Sequence, residues 1–246
     1  AGQVVGNGIV VDISKYFNKI IEINPKEKWV RVQPGVVRDE LNMALQPYGL
    51  FFGPETSTSN RCMMGGMIGN NACGAHSLVY GSTRDHTLEL KCLLSDGSEV
   101  VFSDLNAQDF EEKTRGESLE AYIYQNIKSI LDSAENQKAI VENYPDPDIE
   151  RRNTGYALDL LLDNEVFSSS KKSFNFCKLL AGSEGTLAFT TEIKLNLVDL
   201  PPNEKALICV HLNNVEEALK ANLIALKYKP VSVELMDKAI MDMTKT

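Results

Sequence analysis

Two periods of apolar and polar residues run along the chain. Alternation in "GIVVDIS", "KIIEIN" and "KWVRVQPG" predicts short strands in the first third, with turn chemistry at Asn24-Pro25. A helical period then takes over in "VRDELNMALQPYG", where Val37, Leu41, Ala44 and Leu45 share one face and Gly49 follows the end. "HTLELKCLLSDGSEVVF" alternates again and reads as a hairpin turned at Ser95-Asp96-Gly97. From about residue 117 to 143 the helical period returns, carried by Leu119, Tyr122, Ile123, Ile127, Ile130 and Leu131, until "YPDPD" breaks it. "AFTTEIKLNLV" alternates as a strand. After Pro201-Pro202, "KALICVHL", "NVEEALKANLIALKY" and "VSVEL" predict strand, helix and strand, and "DKAIMDM" opens another helix. One stretch, "GPETSTSNRCMMGGMIGNNACG" at residues 53–74, shows neither an amphipathic helix nor an alternating strand. It reads as backbone laid out to touch a ligand.

Composition narrows the class. With 246 residues, 43% apolar and 24% charged, the chain can bury a real core as one large domain or as one domain with a smaller partner. A formal net charge of -9 argues against a nucleic-acid surface, which needs a basic patch. No apolar run approaches membrane-spanning length, and no charged-then-apolar leader opens the chain. The five cysteines, Cys62, Cys73, Cys92, Cys177 and Cys209, are scattered and odd in number, as expected of reduced, mostly buried thiols in a cytoplasmic protein. Both ends read as cut: the chain starts in a glycine-rich turn without Met and stops on a helical pattern without a cap.

Three glycine clusters, at residues 2–8, 65–74 and 182–185, favour a ligand over tight packing. Glycine admits positive φ and close approach of a ligand to the main chain, and successive N–H groups in such turns bind anionic oxygens. Asn70 and Asn71 suit the edges of a heterocycle, and Ser57, Thr58 and Ser59 add hydroxyl donors. The spacing is neither the Rossmann G-x-G-x-x-G nor a phosphate-loop lysine motif. Cys73 and His76 have a metal-like spacing but no second close pair, so no metal site is expected. Ser77, Asp85 and His86 lack the surroundings of a hydrolase triad, and Met63, Met64 and Met67 read as pliable packing.

Five ordered blocks carry a resemblance: "VRVQPGV", the stretch at 53–74, "YGSTRDHTLELKCLLSDGS", "NTGYALDLLLD" and "LLAGSEGTLAFTTEIKL". Together they resemble the FAD-binding domain of the FAD-linked oxidases of the vanillyl-alcohol-oxidase type. They are nearest the branch of D-lactate dehydrogenases, the glycolate oxidase FAD subunit and D-2-hydroxyglutarate dehydrogenases. The resemblance implies an α+β fold: an FAD-binding domain of two α/β subdomains over residues 1–200, the first truncated, and the start of a ferredoxin-like cap over 201–246. It implies non-covalent FAD, with Pro54 and Thr58 passing the flavin, Gly65, Gly66, Gly69, Asn70, Asn71 and Gly74 cradling the pyrophosphate and ring, and Ser77 and Tyr80 closing over it. Glu184, Gly185 and Ile193 would line the nucleotide half, and Arg152 with Thr154 would face a substrate carboxylate. The family's upstream R-x-x-G-T-S-x-x-G loop is reduced to "AGQ", and its histidine-rich catalytic motif is absent. The catalytic base, and any metal or iron–sulfur cluster, would therefore lie beyond this chain, which would be inactive alone and weak toward FAD.

The whole protein would oxidise a small D-2-hydroxy acid by hydride transfer to FAD and pass electrons to a quinone, an iron–sulfur partner or oxygen. Peripheral contact with a membrane would come through that acceptor. The rival readings are an ether-lipid synthase-like flavoenzyme of the same fold and a non-catalytic nucleotide-binding module.

Overall fold

A computed structural model describes residues 10–149, 151–153 and 155–245. The first glycine cluster and Thr154 lie outside the described residues. From Val10 to Ile13 no strand forms, so "GIVVDIS" is not the first strand where it is described. That place is taken by β1 (Ile20–Asn24) and β2 (Trp29–Val32), turned through Lys28 at φ 54°. Helix α1 (Arg38–Leu45) follows as expected, burying Leu41 and Leu45, and a single 3₁₀ turn ends on Gly49 at φ 70°. The two-residue strand β3 (Leu50–Phe51) leads into the glycine-rich stretch.

That stretch contains helix α2 (Met64–Asn70), contrary to expectation. Met64, Met67 and Ile68 fall at i, i+3 and i+4 and are all buried, so packing overrides the poor helix propensity of its three glycines. Two single-turn helices come next, α3 (Ser77–Tyr80) and α4 (Thr83–His86). A capping box starts α4, with the Asp85 carboxylate accepting from the Ser82 main-chain N–H at 2.8 Å. The expected hairpin is present as β4 (Thr87–Leu93) and β5 (Glu99–Phe102).

Helix α5 (Ala107–Lys113) precedes the long helical stretch, which is two helices: α6 (Leu119–Asp132) and α7 (Ala134–Asn143). Ser133 divides them because its extended backbone ends α6 while its side chain caps α7. The buried face of α6 is Ala121, Tyr124, Ile127 and Leu131, whereas Tyr122 and Ile130 point outward. Short helices α8 (Leu158–Leu162) and α9 (Cys177–Leu180) lead to β6 (Phe189–Asn196) and the two-residue β7 (Val198–Asp199).

The main sheet has the order β1-β2-β6-β4-β5, antiparallel throughout, and β3 pairs separately with β7. Strand β6, last in sequence, sits at the centre because its Ile193 and Leu195 are fully buried between β2 and β4. The other face of the sheet carries charges: Arg31 pairs with Glu89 at 2.6 Å, and the Lys194 ammonium lies 4.3 Å from the ring centre of Trp29. Behind the sheet, Phe102, Phe110, Tyr124, Phe174 and Phe176 form an edge-to-face aromatic cluster.

Beyond residue 200, helices α10 (Val215–Leu226) and α11 (Lys238–Met243) form where the pattern predicted helices. "KALICVHL" and "VSVEL" form no strand. Among the described residues no helix is long and apolar enough to cross a membrane.

Candidate functional site

The stretch at 53–74 and the cluster at 182–185 come together. Along one side the start of α2 leans on the turn after β2: Gly65 donates its N–H to the Pro34 carbonyl at 2.8 Å, and a Cβ there would lie 2.8 Å from the Pro34 Cβ. Gly65 is therefore required by close packing, and the positive φ expected of Gly65, Gly66 and Gly69 is not found. Helical backbone gives those residues negative φ. Left-handed conformations occur instead at Asn71, Gly81, Gly182, Glu184 and Gly185.

The end of α2 is stitched to the second cluster. Gly182 donates to the Ile68 carbonyl and Glu184 to that of Gly69, both at 2.8 Å, while the Asn70 amide donates to the Glu184 carboxylate at 2.8 Å. Between the two lies an open cleft of about 280 Å³, lined by Gly65, Gly69 and Gly185 with Ile13, Pro34, Ile68, Leu180, Ser183, Ala188, Phe189 and Thr190. A Cβ on Gly66 or Gly185 would meet open space, so bare main chain faces solvent at these positions.

Other expected site residues are occupied by the fold. Asn71 is 1% exposed, accepts from the Arg84 main-chain N–H at 2.8 Å and donates to the Asn153 side chain at 3.4 Å. It ties loops together and shows no free edge to a ring. Ile193 is 0% exposed in the centre of the sheet. Pro54 is buried and accepts from Arg38 at 2.9 Å, and the Thr58 carbonyl accepts from Arg61 and Cys62. A Cβ on Gly74 would lie 2.6 Å from the Glu55 carbonyl, so that glycine admits a loop crossing. Ser77 opens α3, and Tyr80 packs edge-on against Phe51 with ring centres 5.1 Å apart, roofing the Gly53 main chain.

Arg152 pairs with Asp159 at 2.6 Å, with both side chains mostly buried. Its neighbour Arg151 is exposed and donates through Nε to the Cys73 sulfur at 3.2 Å. Beside them the His76 ring nitrogen Nδ1 lies 2.5 Å from the Glu55 carboxylate. Sequence reasoning missed Arg84, which is 2% exposed and donates to the carbonyls of Gly155 and Ala181. Burial pushes its guanidinium down from the usual arginine range, against the opposing pull of Asp159 and Asp85. Of the thiols, Cys92 and Cys177 are buried, Cys62 and Cys73 half-buried and Cys209 exposed. Among the described residues no three His, Cys, Asp or Glu side chains gather as a metal site.

Residues 1–103 match the family described as FAD binding domain. The chain is 39% identical to D-2-hydroxyglutarate dehydrogenase of Haemophilus influenzae, over 99% of this chain and 23% of that one. The chain is thus similar to a D-2-hydroxyglutarate dehydrogenase and carries a region like an FAD binding domain. Glycolate oxidase subunit GlcD of Bacillus subtilis is 25% identical over 96% of this chain and 38% of its own length. Likeness to a solved alkyldihydroxyacetonephosphate synthase is slight, with a TM-score of 0.42 and 16% identity over 75% of this chain and 22% of that one. The chain spans about a quarter of the length of the D-2-hydroxyglutarate dehydrogenase it resembles. The match at 1–103 takes in the α2 side of the cleft, and the relatives' alignment extends over the Gly182–Gly185 side as well.

Proposed function

We propose that the chain is the FAD-binding part of a flavoprotein oxidoreductase whose whole protein oxidises a small D-2-hydroxy acid of the lactate, glycolate or 2-hydroxyglutarate class. The observation that carries this reading is the glycine-rimmed cleft between α2 and the loop at 182–185, in a chain so similar to a D-2-hydroxyglutarate dehydrogenase. Its surroundings fit a nucleotide: bare main chain at Gly185, a left-handed turn at Glu184-Gly185, and hydroxyls on Ser183 and Thr190, with the exposed main chain of Gly66 on the adjoining turn of α2. FAD held there without a covalent bond would supply the hydride acceptor for the substrate α-carbon.

The chain's own residues then have three tasks. Gly185 leaves the main chain open to phosphates, Gly65 and Gly69 keep the facing wall of the cleft free of side chains, and Asn70 holds Glu184 so that the turn keeps its shape. Tyr80 and Phe51 close the apolar side of the neighbouring loop. An arginine meets the substrate carboxylate through its two-pronged guanidinium. Because Arg152 is already held by Asp159, Arg151 is the better fit to that role. Residues 1–200 would form the FAD-binding unit and 201–246 the opening of the cap.

An absorption spectrum of the full-length protein tests the reading. Yellow protein that bleaches anaerobically with a D-2-hydroxy acid supports it, and colourless protein sinks it. An unchanged KM for the acid in Arg151→Ala would return the carboxylate role to Arg152.

A further inference from the structure

Arg84 is a buried cation that the reading above does not use. Its guanidinium donates through Nε to the Ala181 carbonyl at 3.0 Å and through Nη2 to Ala181 at 2.5 Å and to Gly155 at 2.7 Å. Its own N–H goes to Asn71, and its carbonyl accepts from the Lys178 ammonium at 3.0 Å. Every acceptor on the guanidinium is a main-chain oxygen, and among the described residues no carboxylate forms an ion pair with it. The nearby carboxylates are committed elsewhere: Asp159 to Arg152 at 2.6 Å, and Asp85 to the Ser82 cap at 2.8 Å.

The turns around Arg84 are cut to its shape. A Cβ on Gly182 would lie 2.5 Å from Nη2 and 2.7 Å from the Gly155 oxygen, and Gly182 stands at φ +97°. Gly155 also takes positive φ. One turn leads from Arg151 and Arg152, and the other opens the loop that lines the cleft. A second link, the Tyr156 hydroxyl on the Thr186 hydroxyl at 2.6 Å, joins the same two segments. A lysine in place of Arg84 would reach one carbonyl and not both, since an ammonium lacks the planar fork.

Resting on the proposed FAD site, we propose that Arg84 is its positioning residue: it locks the Gly155 and Gly182 turns to each other and places a positive charge, held by main-chain oxygens, behind the loop that receives the nucleotide's phosphates. A buried charge hydrogen-bonded only to main-chain oxygens is felt by an anion nearby, because little solvent screens it, even with Asp159 and Asp85 in its neighbourhood.

The test uses the full-length flavoprotein with Arg84→Met and Arg84→Lys, read by amide hydrogen exchange and by FAD affinity. In Arg84→Met, amides at 155–157 and at 181–186 exchange faster together and the Kd for FAD rises about tenfold or more. Arg84→Lys, which keeps the charge, holds the Kd within about threefold of wild type while exchange still rises in at least one turn. Unchanged exchange in both turns of Arg84→Met overturns the lock. A Kd in Arg84→Lys as high as in Arg84→Met overturns the electrostatic role and leaves the turn geometry alone. Should Arg84→Met fail to fold, unchanged exchange in Arg84→Lys overturns the lock equally well. Colourless wild-type protein would sink the flavin reading, and exchange would still decide whether Arg84 joins the turns.

Discussion

Helices α6 and α10 begin alike and end up in opposite surroundings. Ser118 accepts from the Ala121 N–H at the start of α6, and Asn214 accepts from the Glu217 N–H at the start of α10. Each carries a row of leucines and isoleucines. In α6 Tyr124 and Leu131 are 1% and 0% exposed, whereas in α10 Leu219, Leu223 and Ile224 are 58%, 65% and 58% exposed. The flanking segments differ in the same way. Residues 20–200 pair five strands into a sheet, while "KALICVHL" and "VSVEL" remain unpaired and leave Leu207 at 89% and Ile208 at 83%. A helix closes its hydrogen bonds within itself, and α10 adds the Glu216–Lys220 pair at 2.7 Å to its cap. A strand has no such local route, because its bonds need a neighbour. Sequence pattern alone therefore yields helices beyond residue 200 without yielding strands.

The contrast can be broken most directly in the aromatic cluster. Phe174 is 0% exposed and packs within 4.7 Å and 4.9 Å, centre to centre, of Phe110 and Phe176. Phe174→Ala should cost about 3–5 kcal/mol in urea unfolding. A loss below about 1 kcal/mol would mean that the sheet-backed region is no better packed than the rest.

The next effect separates two adjacent glycines of α2. Gly65→Ala drives a Cβ into Pro34 and should cost about 1–3 kcal/mol. Gly66→Ala enters open space in a helix and should stabilise by about 0.5–1 kcal/mol. If Gly66→Ala loses FAD while gaining stability, its bare main chain serves the ligand and not the fold. Equal stability changes in the two variants would show that the Pro34 contact is not formed.

Thiols sharpen the comparison by pH. Burial pushes the Cys92 thiol up to about 11, and Cys177 moves the same way. A thiol whose folded pKa is raised stabilises the fold below its unfolded value and loses that contribution as pH rises through the folded one. Between about pH 9 and 11 stability should therefore fall, on the order of 1 kcal/mol at pH 10 from Cys92, and Cys92→Val should flatten the loss. Cys209, exposed beyond residue 200, should alkylate quickly at pH 8 while Cys92 and Cys177 stay unmodified until the protein unfolds. Rapid modification of Cys92 in folded protein would contradict its burial. The smallest effect belongs to α10: Leu223→Ala should shift the same unfolding transition by less than about 0.5 kcal/mol.

Much of the first 200 residues was legible because its signals are local. The hairpin turns at Gly97 with φ 83°, α1 ends one 3₁₀ turn before Gly49, and β6 follows its alternation. Helix α2 escaped because glycines obscured Met64, Met67 and Ile68, whose spacing was the available signal. The site was legible as residue types and less so as roles. Asn71 looked like a ligand contact but is buried between loops, and the left-handed backbone expected at Gly65-Gly66 occurs at Glu184-Gly185. Arg84 gave no local sign, since its carbonyl partners lie 71 and 97 positions away.

The Lys194–Trp29 contact has a practical consequence. Trp29 is the only tryptophan in the chain, and it joins β2 to β6 at the heart of the sheet's charged face. Its indole N–H is fixed to Glu27 at 2.7 Å. Emission excited selectively from tryptophan is therefore a single-site optical probe of the β2–β6 seam. It will report the melting of the sheet while remaining blind to whatever α10 and α11 do.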